Sequence, residues 1–228
     1  LQEHLGLPTV NLGLYDRWKR IAEVDAEYFA LHRERQDRLR SLQEVYRRRL
    51  RHAMDGARAV FTMEVDDDIL GPEKLAAIDA IGELDGHHLV RVKAMHVEFE
   101  QRVQPGKRRA IAQERDAVAE LLDGVDSVFI AGGHVAVLLN RLRLLALRPL
   151  LARRNVVAWS AGAMAMTSHV LLFHDFPPWG AGDAEVLDHG LGLATGIVAL
   201  PHAHRRLALD NAQRVAAMAR RAAPSVCL

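Results

Sequence analysis

The sequence predicts an α/β fold, a parallel sheet with helical crossovers that carries a helical insertion near its N-terminus. Three observations predict it. Ser127-Val128-Phe129-Ile130-Ala131 is a compact apolar run that ends in Gly132-Gly133 and gives way to a helical pattern at Val135, Leu138, Leu139, Leu142 and Leu145. Asn155-Val156-Val157-Ala158-Trp159 repeats the arrangement, an apolar run feeding into Ser160 and then into small, helix-permitting residues. A further apolar run at 197–200 ends in Pro201-His202. Strand–turn–helix units in succession imply parallel strands, and ligands bind at the carboxyl ends of such strands. Gly132-Gly133, Ser160 and His202 all fall at those ends.

The N-terminal half has a different texture. Residues 8–15 read as a short strand bounded by proline and by charge. From 16 to about 54 the pattern is helical and highly charged, with Leu39, Leu42, Tyr46, Leu50 and Ala53 on one face. Arg47, Arg48, Arg49 and Arg51 cluster there. They suit either an acidic partner or a solvated face paired with Glu44 and Asp55, and the solvated face is the commoner outcome. Residues 16–56 thus form a helical insertion, usable as a cap over the site or as a homodimer contact. Asp66-Asp67-Asp68 is read as a loop and helix start rather than a metal cluster, because Gly71-Pro72-Glu73 follows and acids favour helix N-termini. Helices are expected at about 73–84, 87–102 and 107–122, and 89–99 fits strand and helix periods equally poorly.

At 228 residues, one core suffices, so the whole chain is read as a single domain with the chemistry in 125–205. Thirty basic and 29 acidic residues leave a net charge of +1, which argues against a broad nucleic-acid surface. One cysteine, Cys227, cannot form an internal disulfide and points to a reducing, cytoplasmic setting. No apolar run is long enough for a membrane helix.

Val156-Val157-Ala158-Trp159-Ser160-Ala161-Gly162-Ala163-Met164 has the form of a nucleophile elbow, in which a strand turns sharply into a helix and presents a serine at the tip. A serine hydroxyl reacts only when a base removes its proton, commonly a histidine, and the oxyanion that forms needs two N–H donors. Ala161 supplies one donor and the Gly132-Gly133 turn the other. His202 is the leading base because it too ends a strand. His134 beside the glycines, and His174 and Asp175 in the loop Phe173-His174-Asp175-Phe176-Pro177-Pro178-Trp179, are candidates for the pocket. His202 and His204 form a pair that a metal would need a third ligand to use, and none stands at a known spacing.

These blocks resemble the dipeptidase E and cyanophycinase group of serine peptidases, which have a class I glutamine-amidotransferase-like, flavodoxin-like fold. The resemblance covers about 125–205 and rests on A-G-G-H at 131–134, W-S-A-G-A at 159–163, H-D-F-P at 174–177 and L-P-H at 200–202. It implies Ser160 as nucleophile, His202 as base, and Gly132, Gly133 and Ala161 around the oxyanion. The resemblance further implies that Asp175 lies against the substrate, and a small peptide or related amide cleaved without metal or organic cofactor is expected. Ala158 replaces the group's usual glycine. The group's first glycine-turn strand has no counterpart before Thr9, and its third triad member falls past Leu228, so both ends read as clipped. Asp175 and Asp210 are the acids near enough in sequence to orient the imidazole. Glutamine amidotransfer itself needs a cysteine where Ser160 stands. The rival expectation is a non-catalytic binding or regulatory module that has lost a complete triad.

Overall fold

Helix formation begins where the sequence suggests a strand. In the computed structural model, which describes residues 6, 8–173 and 182–228, the Asn11 carboxamide accepts a hydrogen bond from the Gly13 N–H at 2.8 Å. Gly13 then takes φ 61°, and this turn ends the extended run before α1 (Leu14–Val24). Asp25 separates α1 from α2 (Ala26–Phe61) and accepts from the Tyr28 N–H at 3.0 Å, an N-cap in the ordinary sense. The same carboxylate is clamped by Arg108, with both contacts at 2.6 Å. The Arg108 hydrogen bonds outweigh burial and hold the Asp25 pKa below the usual carboxylate value.

After a short turn the chain re-enters helix as α3 (Asp67–Val103), beginning at Asp67 rather than at 73. Asp67 and Asp68 lie in its first turn, where the unpaired N–H groups favour acids. Residues 89–99 belong to this helix. Alone they fit neither period; against α2 they have a surface to pack on. Arg38 meets Glu98, Glu34 meets Arg102, and Tyr46 meets Asp85, so α2 and α3 run antiparallel as a long hairpin. A one-turn 3₁₀ segment (Pro105–Lys107) leads into α4 (Arg109–Asp123).

The second half alternates short elements: β1 (Ser127–Ile130), α5 (Val135–Leu144), α6 (Leu147–Leu151), β2 (Asn155–Ala158), α7 (Ala161–Met166), β3 (His169–Leu172), β4 (Glu185–His189), β5 (Ile197–Val198), α8 (Ala203–Arg206), α9 (Ala212–Ala222) and β6 (Val226–Cys227). The strands do not merge. β1 pairs with β2 in parallel, β3 with β4 antiparallel, and β5 with β6 in parallel.

The expected flavodoxin-like, class I glutamine-amidotransferase-like sheet is therefore incorrect for this chain. Of the described residues, 64% are helical and 11% are strand, and they form two-stranded sheets in place of a central parallel one. The reason lies in what each apolar run finds to pack against. β1 and β2 pair as the repeated strand–turn–helix units suggest, but the 197–200 run pairs with the chain's last residues instead of extending them. Most of the buried surface belongs to helices. One core gathers Ile21, Tyr28, Phe99, Ile111 and Val118 with Leu139, Leu142 and Ala165; a second joins Tyr46, Leu50 and Ile81 to Val186, Val198, Leu200 and Met218. Among the described residues, no helix is long and apolar enough to cross a membrane.

Candidate active site

Ser160 stands between β2 and α7 with φ 55° and ψ −130°. A residue bearing a Cβ almost never adopts this combination, since the side chain crowds its own backbone. The turn is fixed from both sides. Ile130 and Ala158 are register partners, and the Ile130 carbonyl accepts from the Trp159 N–H at 3.2 Å. The Trp159 carbonyl in turn accepts from the Gly162 N–H at 3.0 Å, and the Ser160 carbonyl accepts from Met164 at 3.2 Å. These bonds leave Ser160 no room to relax.

Two glycines make the approach possible. A Cβ on Gly162 would lie 2.2 Å from the Ile130 carbonyl oxygen and 2.9 Å from that of Ala131, so α7 reaches β1 only because position 162 has none. A Cβ on Gly132 would lie 2.8 Å from both the Cβ and the Oγ of Ser160, and 3.6 Å from the Ala161 nitrogen. The first glycine turn and the serine turn are thus in contact, as strand ends in a paired parallel unit should be. Gly133 follows with φ 132°, a backbone state that suits glycine. Among the described residues, neither the Gly133 nor the Ala161 N–H donates to a backbone carbonyl. Ser160 is half-buried, and Trp159 is exposed beside it. His134 is exposed on the glycine turn, immediately before α5.

His202 is placed differently. It is exposed, has φ 60° and ψ 31°, and its carbonyl accepts from Arg205 and Arg206. Leu200, two residues earlier, packs in the second core, whereas Ala161 packs in the first. Among the described residues, no hydrogen bond links the His202 ring to the Ser160 hydroxyl, and none links Asp210 to His202. His174 and Asp175 lie outside the described residues. Arg47, in the basic cluster, pairs with Glu185 at 2.5 Å and 2.9 Å rather than with Glu44, while Asp55 pairs with Arg58.

The structure also forms a polar cluster that sequence reasoning did not anticipate. Arg143 on α5 bonds Asp188 on β4 through both guanidinium arms, at 2.6 and 3.1 Å, and also donates to the His189 carbonyl. His96 on α3 sits 3.0 Å from the same carboxylate. Burial alone would raise the Asp188 pKa; the His96 hydrogen bond and the Arg143 charge and hydrogen bonds together hold it well below the usual carboxylate value. Close by, His169 and His189 face each other across the β3–β4 ladder with ring centroids 5.5 Å apart. A second buried cluster joins Tyr46, Asp85 and Arg221. Of the first cluster only His96 and Arg143 fall on stretches the sequence marks as helical, and no local motif links the members of either cluster.

The class defined by this geometry is a strand–turn–helix unit presenting a serine beside a glycine turn. No family model, curated protein or solved structure matches the chain.

Proposed function

We propose that the protein is a serine hydrolase acting on a peptide or related amide, with Ser160 as nucleophile. The observation that carries this reading is the Ser160 backbone, held at φ 55° and ψ −130° in contact with Gly132. Strain of this kind persists only where surrounding structure enforces it, and it gathers at reacting groups. In the reaction, Ser160 Oγ bonds to the substrate carbonyl carbon while its proton passes to a base. The oxyanion lies against the N–H groups of Ala161 and Gly133, collapse expels the amine with the proton returned to it, and water then releases the acyl group. The W-S-A-G-A and L-P-H resemblance assigns the base to His202. The two side chains share no hydrogen bond in the free chain, and catalytic contacts often tighten only on binding.

A second reading, a non-catalytic module that retains the turn, draws on that same missing contact. A fluorophosphonate probe separates them. The hydrolase reading expects covalent labelling that Ser160→Ala abolishes and that His202→Gln slows by roughly a hundredfold or more. No labelling of the wild-type protein, or labelling that survives Ser160→Ala, favours the module.

A further inference from the structure

Away from Ser160, a cleft of about 600 Å³ opens between α3, the α5–α6 corner and the β3–β4 hairpin. That volume is in the range of small-molecule sites. Its lining includes Lys93, Arg143, Arg148, Ser168, His169 and His189, and none of the described residues that line it is acidic. Asp188, behind the wall, accounts for the Arg143 charge. Among the described residues, Lys93 and Arg148 have no carboxylate partner. The Arg148 guanidinium is nonetheless held in place, because its Nε donates to the Leu191 carbonyl at 2.7 Å. Two positive charges without counterions thus border a concave surface that already contains two imidazoles.

We propose that this cleft binds a small phosphate-bearing molecule, with Lys93 and Arg148 pairing to the phosphate oxygens and the His169–His189 pair accepting protons as it enters. The charges match: two free cations face a group that carries up to two negative charges, and a fixed guanidinium suits planar recognition of such oxygens. The imidazoles supply the remainder. His189 Nε2 lies 3.2 Å from the Leu89 carbonyl and donates to it, which leaves Nδ1 as the atom that gains a proton. Burial and the facing ring hold His169 below the usual imidazole pKa. For His189, burial again leads. The Lys93 and Arg143 charges push the same way, against the Leu89 carbonyl and the Asp188 charge. Both rings therefore start neutral near neutral pH, and an anion placed among them reverses the balance by favouring the charged form.

The test is titration of the intact chain with inorganic phosphate at constant ionic strength, followed by the imidazole resonances. Saturable shifts confined to His169 and His189, with His52 unmoved, are expected. Lys93→Ala and Arg148→Ala should each weaken binding by roughly tenfold, as loss of a charge-assisted hydrogen bond does. Sulfate keeps its charge across the relevant range, so its affinity should rise as pH falls from about 8 to about 6, and His169→Gln with His189→Gln should flatten that rise. Absence of a saturable shift, or a shift unchanged in the Lys93→Ala/Arg148→Ala double variant, overturns the proposal. So does sedimentation with phosphatidic acid vesicles without any response to free phosphate, since the ligand would then be a lipid surface. The wild-type titration decides the matter by itself should a variant fail to fold.

Discussion

Replacing Ser160 with glycine should make the protein more stable, which ordinary serine positions do not allow. At φ 55° and ψ −130° the Cβ imposes strain of about 1–3 kcal/mol. Glycine removes that strain but gains freedom in the unfolded chain, which offsets about 0.5–1 kcal/mol. Alanine retains the Cβ and loses only a half-buried hydroxyl. Ser160→Gly should therefore exceed Ser160→Ala by about 1 kcal/mol, within a range of about 0–2.5 kcal/mol. At this chain length, each kcal/mol moves the melting temperature by about 2–4 °C. Urea unfolding followed by far-ultraviolet circular dichroism gives the free energies, and thermal melts give the second measure. Ser127→Gly provides the contrast, since Ser127 lies in β1, where glycine weakens a strand. If Ser160→Gly is no more stable than Ser160→Ala, the turn is not strained. The main support for Ser160 as a held, reactive group then goes with it.

Gly162→Ala should destabilise the protein by about 2–3 kcal/mol and abolish probe labelling, because the added carbon would sit 2.2 Å from the Ile130 oxygen and push α7 off β1; chemical unfolding and labelling check the two halves. Arg143→Met should cost about 3–5 kcal/mol at neutral pH by leaving Asp188 buried without its cation, and the added change Asp188→Asn should recover much of that in the same unfolding assay. Because the folded Asp188 pKa is depressed, its contribution is complete above the ordinary carboxylate value and disappears as pH falls below about 4. Burial pushes the His88 imidazole down to about 4. Its folded pKa thus lies below the unfolded one, so stability is full above about pH 6.5 and declines by roughly 3 kcal/mol towards pH 4. His88→Gln should flatten that limb of an unfolding-versus-pH profile.

What the sequence disclosed divides along the range of the interactions involved. The Ser160 turn was legible because its causes are local. Small residues at 158 and 161–163 follow an apolar run, and the structure turns there with Gly162 against the β1 carbonyls. The α5 helix after Gly132-Gly133 was legible for the same reason. The sheet was not. Strand periodicity shows that 197–200 is extended but cannot say what it will pair with, and here it pairs with 226–227. Residues 8–15 misled because an Asn-x-Gly turn interrupts an otherwise apolar run. Residues 89–99 gain their helical character from α2, whose facing residues lie far away in sequence.

The same distinction separates the two halves of the proposed chemistry. A nucleophile on a tight turn needs only its neighbours, so Ser160 follows from a few consecutive residues. A base must arrive from elsewhere, and its position depends on how the strand that bears it docks. The strand expected to carry His202 stops at Val198, four residues before it, and pairs with β6, while His202 stands in the turn before α8 and Leu200 packs in the second core. The His96–Arg143–Asp188 cluster shows the converse: three polar residues with no local motif, drawn from α3, α5 and β4, form a hydrogen-bonded charged group beside a cleft. Local turns thus reveal where a reactive atom is held. Which charges meet it, or meet a ligand elsewhere, is decided by packing between distant segments, so the phosphate titration and the serine probe examine independent consequences of one fold.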